Sequence, residues 1–141
     1  MREPRSTAII VGKTTDMDEV VRAVMSGADE IRVTQTLEEA IAIEGFRPSL
    51  TVVCQHWSDE FSGESVQRLI STWPLSRVVC AYGPWCVSDG RRRSVWPHAV
   101  RVPVESAPGR IQREWDVIRG IRTGLPLTAG RDEIFAFDHG Q

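Results

Sequence analysis

The chain alternates between two patterns of apolar residues, one typical of buried β-strands and one typical of amphipathic helices. Almost continuous apolar runs over residues 7–11 and 50–54 predict strands that are buried on both faces. After the first run, apolar residues such as Val20, Val21 and Val24 recur every three or four positions, which predicts a helix. A regular alternation of strands and helices is typical of a parallel sheet with crossover helices.

The full pattern predicts five strands and four helices. Two capping-box sequences, Asp16 with Glu19 and Thr36 with Glu39, predict the starts of the first two helices, and Gly27 is a natural end for the first. The strands are predicted at residues 7–11, 31–34, 50–54, 77–81 and 99–104, and the later helices at 66–73 and about 108–122.

Two segments depart from this alternation. Residues 82–97 contain two prolines, two glycines and no helical period, so we expect a long structured loop in place of a fourth helix. The strand after it contains Arg101 and Pro103, and it should lie at the edge of the sheet because proline cannot donate to a central ladder. Residues 125–141 have no helix-length pattern and are expected to form a tail that packs on the domain or is partly disordered.

The composition is that of one soluble domain, since 41% of the 141 residues are hydrophobic and 26% are charged. A net charge of −2 provides no overall attraction to nucleic acid or to anionic membranes. No apolar run approaches the roughly 18 residues that would span a bilayer. Three unevenly spaced cysteines argue against a secreted disulfide framework. We therefore expect a cytoplasmic protein without membrane association.

Five strands alternating with helices over residues 6–124 resemble the receiver domain of two-component response regulators, which has the CheY-like fold. The likeness depends on this pattern, on the sequence Pro-Ser-Leu-Thr-Val-Val at 48–53, and on Val102 followed by Pro103 in the fifth strand. It implies a three-layer α/β sandwich around a five-stranded parallel sheet of order 2-1-3-4-5, the flavodoxin-like arrangement.

Receivers transfer a phosphoryl group to an aspartate beside a Mg²⁺ ion, which requires further carboxylates, a hydroxyl and a lysine. In this chain the phosphoacceptor position falls on Cys54, or on Gln55 after a shift of one residue, and no Asp or Glu occurs between Glu44 and Asp59. The other matching positions hold Gly12 and Lys13 for the acidic pair, Ala81 (or Tyr82 in a shifted register) for the hydroxyl, and Val102 for the lysine.

The loss of these residues predicts a pseudo-receiver that is not phosphorylated, is not an enzyme, and uses no cofactor or metal ion. The sequence Gly-Lys-Thr at 12–14 lacks the first glycine of a P-loop, because that position is Thr7. A nucleophilic pair of cysteine and histidine has no third group to orient it. A zinc site is also disfavoured, because no close cysteine pair occurs among the candidate ligands, Cys54, His56, Cys80 and Cys86.

The predicted loop at 82–97 is the strongest candidate for an interaction surface, and we expect a protein partner, with a homodimer left open. In the alternative interpretation, its tryptophans anchor the loop in the core and its arginines only face water. Two other functions remain open: a small-ligand or nucleotide site at the rim of the sheet, and a nucleic-acid contact that the net charge disfavours. The loop residues concerned are Tyr82, Trp85, Arg91, Arg92, Arg93 and Trp96.

Overall fold

Five strands form one all-parallel sheet in a computed structural model that describes residues 6–57, 60–84, 96–97 and 99–139. They lie side by side in the order 2-1-3-4-5, which confirms the predicted α/β class and strand order. The strands are β1 (Thr7–Val11), β2 (Glu30–Thr34), β3 (Leu50–Gln55), β4 (Arg77–Tyr82) and β5 (Arg101–Pro103).

Helices cover both faces of the sheet and complete the three predicted layers. Ile10 and Val52 share a core cluster with the first and fourth helices, whereas Val11 and Val53 share a cluster with the second and third. No helix in the described ranges is long and apolar enough to span a bilayer. The helices are α1 (Asp18–Gly27), α2 (Leu37–Ile41), α3 (Gly63–Thr72), α4 (Ala107–Ile118) and α5 (Arg131–His139).

Strand burial follows position in the sheet. All residues of β3 are buried, as expected for a central strand with helices on both faces. The short strand β5 pairs with β4 alone and contains Arg101 and Pro103, so the predicted edge position is confirmed.

A close contact between α1 and α4 sets the spacing of the first helical layer. Trp115 of α4 is fully buried, and its indole nitrogen donates a 3.2 Å hydrogen bond to the carbonyl oxygen of Ala23. A Cβ atom added at Gly27 would lie 2.5 Å from the same indole ring. The glycine that ends α1 is therefore also the residue that lets the tryptophan approach its backbone.

One of the two predicted helix caps is present. The Thr36 hydroxyl accepts a 3.0 Å hydrogen bond from the Glu39 amide at the start of α2, as predicted. The prediction for Asp16 is wrong, because α1 begins after Met17 without a side-chain cap and Asp16 has a positive φ of 61°. Asp16 lies in the turn that precedes the helix, where aspartate tolerates the left-handed conformation better than most residues do.

Only the ends of the predicted loop at 82–97 belong to the described residues. Residues 85–95, with Trp85 and the three arginines, lie outside them, and the loss of a fourth helix there stays a prediction. Trp96 is 3% exposed and belongs to the core cluster on the α2 and α3 face. The role of core anchor is therefore confirmed for Trp96.

The prediction that residues 125–141 contain no helix is wrong, because α5 occupies nine of them. Phe137 is buried, while Phe135 is 66% exposed, so the apolar stripe of this helix is incomplete. The side chain of Asp138 accepts two hydrogen bonds, of 2.5 and 2.8 Å, from the fully buried guanidinium of Arg110. An ion pair with α4 thus supplements the weak amphipathic pattern of α5.

Candidate functional site at the carboxyl edge of the sheet

The strand register brings the carboxyl ends of the strands to one edge of the sheet. Gln55 lies opposite Tyr82, and Tyr82 lies opposite Pro103. Val11, the last residue of β1, pairs with Val53. Open α/β sheets place their binding sites at this edge. The positions that the sequence matched to the phosphorylation site of receivers therefore belong to this edge.

Gly12 places the turn after β1 directly against the end of β3. Its φ is +100°, and an added Cβ would lie 2.5 Å from the carbonyl oxygen of Cys54. Its amide also donates a 2.9 Å hydrogen bond to the Thr34 carbonyl at the end of β2. A larger residue would therefore be strained and would collide with backbone, so the first position matched to the acidic pair has no space for a carboxylate in this conformation.

Three of the matched positions form part of the core. Cys54, Ala81 and Val102 are at most 2% exposed and belong to the apolar cluster that contacts α1 and α4. Burial, with a smaller contribution from Glu60, raises the pKa of the Cys54 thiol to about 12. The thiol is therefore protonated at neutral pH, which disfavours Cys54 as a nucleophile or metal ligand.

The side chain of Gln55 forms a hydrogen-bonded junction on the other face of the sheet. It is 2% exposed, and its Oε1 accepts hydrogen bonds from Trp96 Nε1 at 3.0 Å and from Cys80 Sγ at 3.4 Å. Its Nε2 donates a 3.0 Å hydrogen bond to the Trp57 carbonyl. A neutral, bonded amide therefore occupies the position that the shifted register assigns to the phosphoacceptor.

Glu60 comes closer to the end of β3 than its place in the sequence suggests. Its carboxylate accepts a 2.7 Å hydrogen bond from the His56 amide. The His56 ring, in turn, lies 2.7 Å through Nε2 from the Lys13 carbonyl, and since a carbonyl only accepts, Nε2 carries the proton. These bonds join the end of β3 to the turn after β1. The sequence contained no periodic signal for this return of Glu60.

No group of three metal-ligating side chains occurs within the part of the chain that the structure describes. Glu60 is bonded to an amide, and the Cys54 thiol is buried with a raised pKa, so neither resembles a free ligand. Of the four candidate zinc ligands named from the sequence, Cys86 lies outside the described residues.

The rim of the edge presents cations beside aromatic rings. Lys13 Nζ lies 5.5 Å from the ring centroid of Trp57, which is 46% exposed. The Arg101 guanidinium lies 4.5 Å from the ring of Tyr82. Of the loop residues proposed from the sequence, the structure places Tyr82 on this rim and Trp96 in the core beneath it. Sequence patterns did not single out Trp57.

The sheet of order 2-1-3-4-5 defines a flavodoxin-like α/β domain, a fold that serves many unrelated functions. The chain matches no protein-family model, no curated protein and no solved structure. The candidate site has three features. They are the hydrogen-bonded amide of Gln55, the buried cluster that contains Cys54, and the exposed pair of Lys13 and Trp57.

Proposed function

We propose that the chain is a pseudo-receiver, a non-catalytic module that binds a protein partner at the carboxyl edge of its sheet. The observation that supports this most strongly is the state of Gln55. Its amide is buried and bonded through both polar atoms at the end of the central strand. A phosphoacceptor there would need an accessible carboxylate beside a cation.

The neighbouring positions support the same proposal. Phosphoryl transfer requires oxygen ligands that hold Mg²⁺ and offset charge on the transferred group. Here Ala81 and Val102 are buried apolar residues, and Gly12 contacts backbone. Buried apolar side chains and backbone contacts occupy the positions where receivers have polar groups. This favours a role in binding over a role in catalysis.

Partner binding is supported by what the rim exposes. Trp57 is almost half exposed beside Lys13, and tryptophan is enriched among the residues that dominate protein interfaces. The run Arg91–Arg93 lies outside the described residues, and its place after β4 in the sequence predicts that it follows this edge. These cations favour a partner with an acidic face, because complementary charge accelerates association.

Affinity capture from an extract of the source cells tests this proposal. We expect Trp57→Ala and the triple change of Arg91, Arg92 and Arg93 to glutamate to lose the same captured protein. The matched control is Arg22→Glu, because Arg22 is an exposed arginine on α1. Equal capture by all variants would remove the carboxyl edge from the proposal. Capture of the chain by its own copies would identify a homodimer instead.

A small anionic ligand at the rim is the second candidate, favoured by the position of Lys13 over the Trp57 ring. Thermal unfolding with nucleotides and phosphate tests it, since a ligand at 100 times its Kd stabilises the fold by about 2.7 kcal/mol. A stabilisation that disappears in Lys13→Gln would favour this candidate. A ligand that binds Lys13→Gln equally well would contradict it.

A further inference from the structure

An open groove lies at the opposite, amino edge of the sheet, where the turn after α3 meets the end of α4. We call it the amino-edge groove. Its volume is about 690 Å³, within the range of about 300–1,000 Å³ that is typical of small-molecule sites. The residues that matter for its chemistry are Arg47, Ser49, Trp73, Leu75, Val117 and Ile118.

The walls of the amino-edge groove are largely apolar. Trp73 is a mostly buried lining residue, and Val117 and Ile118 come from the last turn of α4. Leu75 is 94% exposed, although burying a leucine side chain away from water is favourable. An apolar ligand body in the groove would cover Leu75 and would contact the indole.

Among the described residues that line the groove, Arg47 carries a positive charge that no described carboxylate offsets. Arg77 also lines it, but its guanidinium is paired with Glu114 at 2.8 Å and donates a further hydrogen bond to the Leu125 carbonyl. The Arg47 guanidinium has no ion pair or hydrogen bond with any described residue, while its own carbonyl is fixed by the Thr7 hydroxyl at 3.0 Å. No carboxylate side chain is among the described residues that line the groove.

We propose that the amino-edge groove binds a small amphipathic carboxylate, an aromatic or aliphatic acid with a single negative charge. Its apolar body packs between Trp73, Leu75 and the end of α4, and its carboxylate pairs with Arg47. A guanidinium fits a carboxylate well because two parallel N–H groups can donate to the two oxygens. Ser49 also lines the groove, and its hydroxyl would be an additional donor in the proposed site.

The single charge favours a carboxylate over a phosphate ester. A phosphate dianion would leave part of its charge without a partner beside one free arginine and apolar walls. The groove is also at the opposite edge of the sheet from Gln55, so this proposal does not depend on the function proposed above. A ligand here and a protein at the carboxyl edge are separate events with separate tests.

Isothermal titration calorimetry with a panel of probes tests the proposal. The panel contains 4-phenylbutyrate, octanoate and indole-3-acetate, each paired with its uncharged amide. We expect at least one acid to bind, and its amide to bind at least about tenfold more weakly because a charge-assisted hydrogen bond is lost. Absence of binding by every acid at concentrations up to about 1 mM, or equal binding of an acid and its amide, overturns the proposal.

Protein variants locate the bound acid. We expect Arg47→Gln to weaken binding at least about tenfold and Arg22→Gln to leave it unchanged, since Arg22 lies on α1 away from the groove. Arg47 is exposed, and its side chain forms no ion pair or hydrogen bond with the described residues, so the variant should keep its thermal stability. Binding should also shift the indole N–H resonance of Trp73, assigned with Trp73→Phe. Unchanged affinity in Arg47→Gln, or a Trp73 resonance that does not move, contradicts the site.

Discussion

The indole nitrogen of Trp96 donates a 3.0 Å hydrogen bond to the side-chain oxygen of Gln55, although the residues are 41 positions apart. Both side chains are buried, so the bond replaces water that neither group can reach. It ties Trp96, in the segment that precedes β5, to the end of β3. The hydrogen-bonded arrangement of Gln55 therefore depends on a contact between distant parts of the chain.

Removing the donor should destabilise the fold. We expect Trp96→Phe to lower the free energy of unfolding by about 1–3 kcal/mol, because a buried acceptor loses a partner and the ring becomes smaller. Urea denaturation followed by circular dichroism measures the change. The control is Trp57→Phe on the exposed rim, for which we expect at most about 0.5 kcal/mol. Equal losses in the two variants would show that the Gln55 bond is not important for stability.

Two glycine-to-alanine changes should have opposite effects. Gly27→Ala should cost about 1–3 kcal/mol, because the new methyl group would lie 2.5 Å from the buried Trp115 ring. Gly109→Ala, inside α4, should be neutral or stabilise by up to about 1 kcal/mol, because alanine is the better helix former and only the flexible end of Arg113 lies near, at 3.1 Å. Thermal unfolding of both variants measures the change in stability. A Gly27→Ala variant as stable as the wild type would contradict the packing described for α1 and α4.

The ion pair of Arg110 with Asp138 should be a structural requirement. We expect Asp138→Asn to destabilise by about 2–4 kcal/mol, because the fully buried guanidinium of Arg110 loses its counter-charge. The control is Glu64→Gln on α3, whose partner Arg68 is exposed, with an expected change below about 0.5 kcal/mol. Urea titrations measure both. If Asp138→Asn were as stable as the wild type, the ion pair would not be a structural requirement.

The buried Cys54 thiol should make stability fall at alkaline pH. Its pKa is raised from 9.0 to about 12, so between these values the unfolded chain releases a proton that the folded chain retains. The unfolded state then binds fewer protons, and the free energy of unfolding decreases as pH rises through this window, by at most about 1.4 kcal/mol per pH unit.

Cys54→Ala isolates this effect from other groups that titrate in the same range. Below pH 9 the variant should be less stable than the wild type by a constant amount, because it lacks a buried side chain. Between pH 9 and 10.5 the difference should shrink. Urea titrations at several pH values give the comparison. A difference that stays constant across this window contradicts a raised pKa at Cys54.

The sheet could be predicted from the sequence because its central strands are marked by short runs of neighbouring apolar residues. The apolar runs at 7–11 and 50–54 are strands in the structure, and the intervening amphipathic pattern is α1. A parallel sheet with crossover helices then follows from general rules of connection. The predicted resemblance to receivers implied the strand order, and the structure confirms that order.

The wrong cap at Asp16 is a local error, whereas the larger misses concern contacts between distant residues. The helix α5 depends on Asp138 meeting Arg110, 28 positions away, and its exposed Phe135 obscures any apolar stripe. The junction at Gln55 depends on Trp96, although a glutamine directly after an apolar run was a signal of a buried polar group. The pattern of neighbouring residues cannot predict these long-range contacts, because the two partners meet only when the chain has folded.

The most direct test of the pseudo-receiver proposal is a phosphorylation assay. The purified chain is incubated with acetyl phosphate and Mg²⁺, and its intact mass is measured alongside a receiver that is known to accept phosphate. We expect no added phosphoryl group, because the end of β3 presents a bonded Gln55 amide and a buried Cys54 thiol. A phosphoryl adduct that hydroxylamine removes, as it removes acyl phosphates, would contradict the proposal.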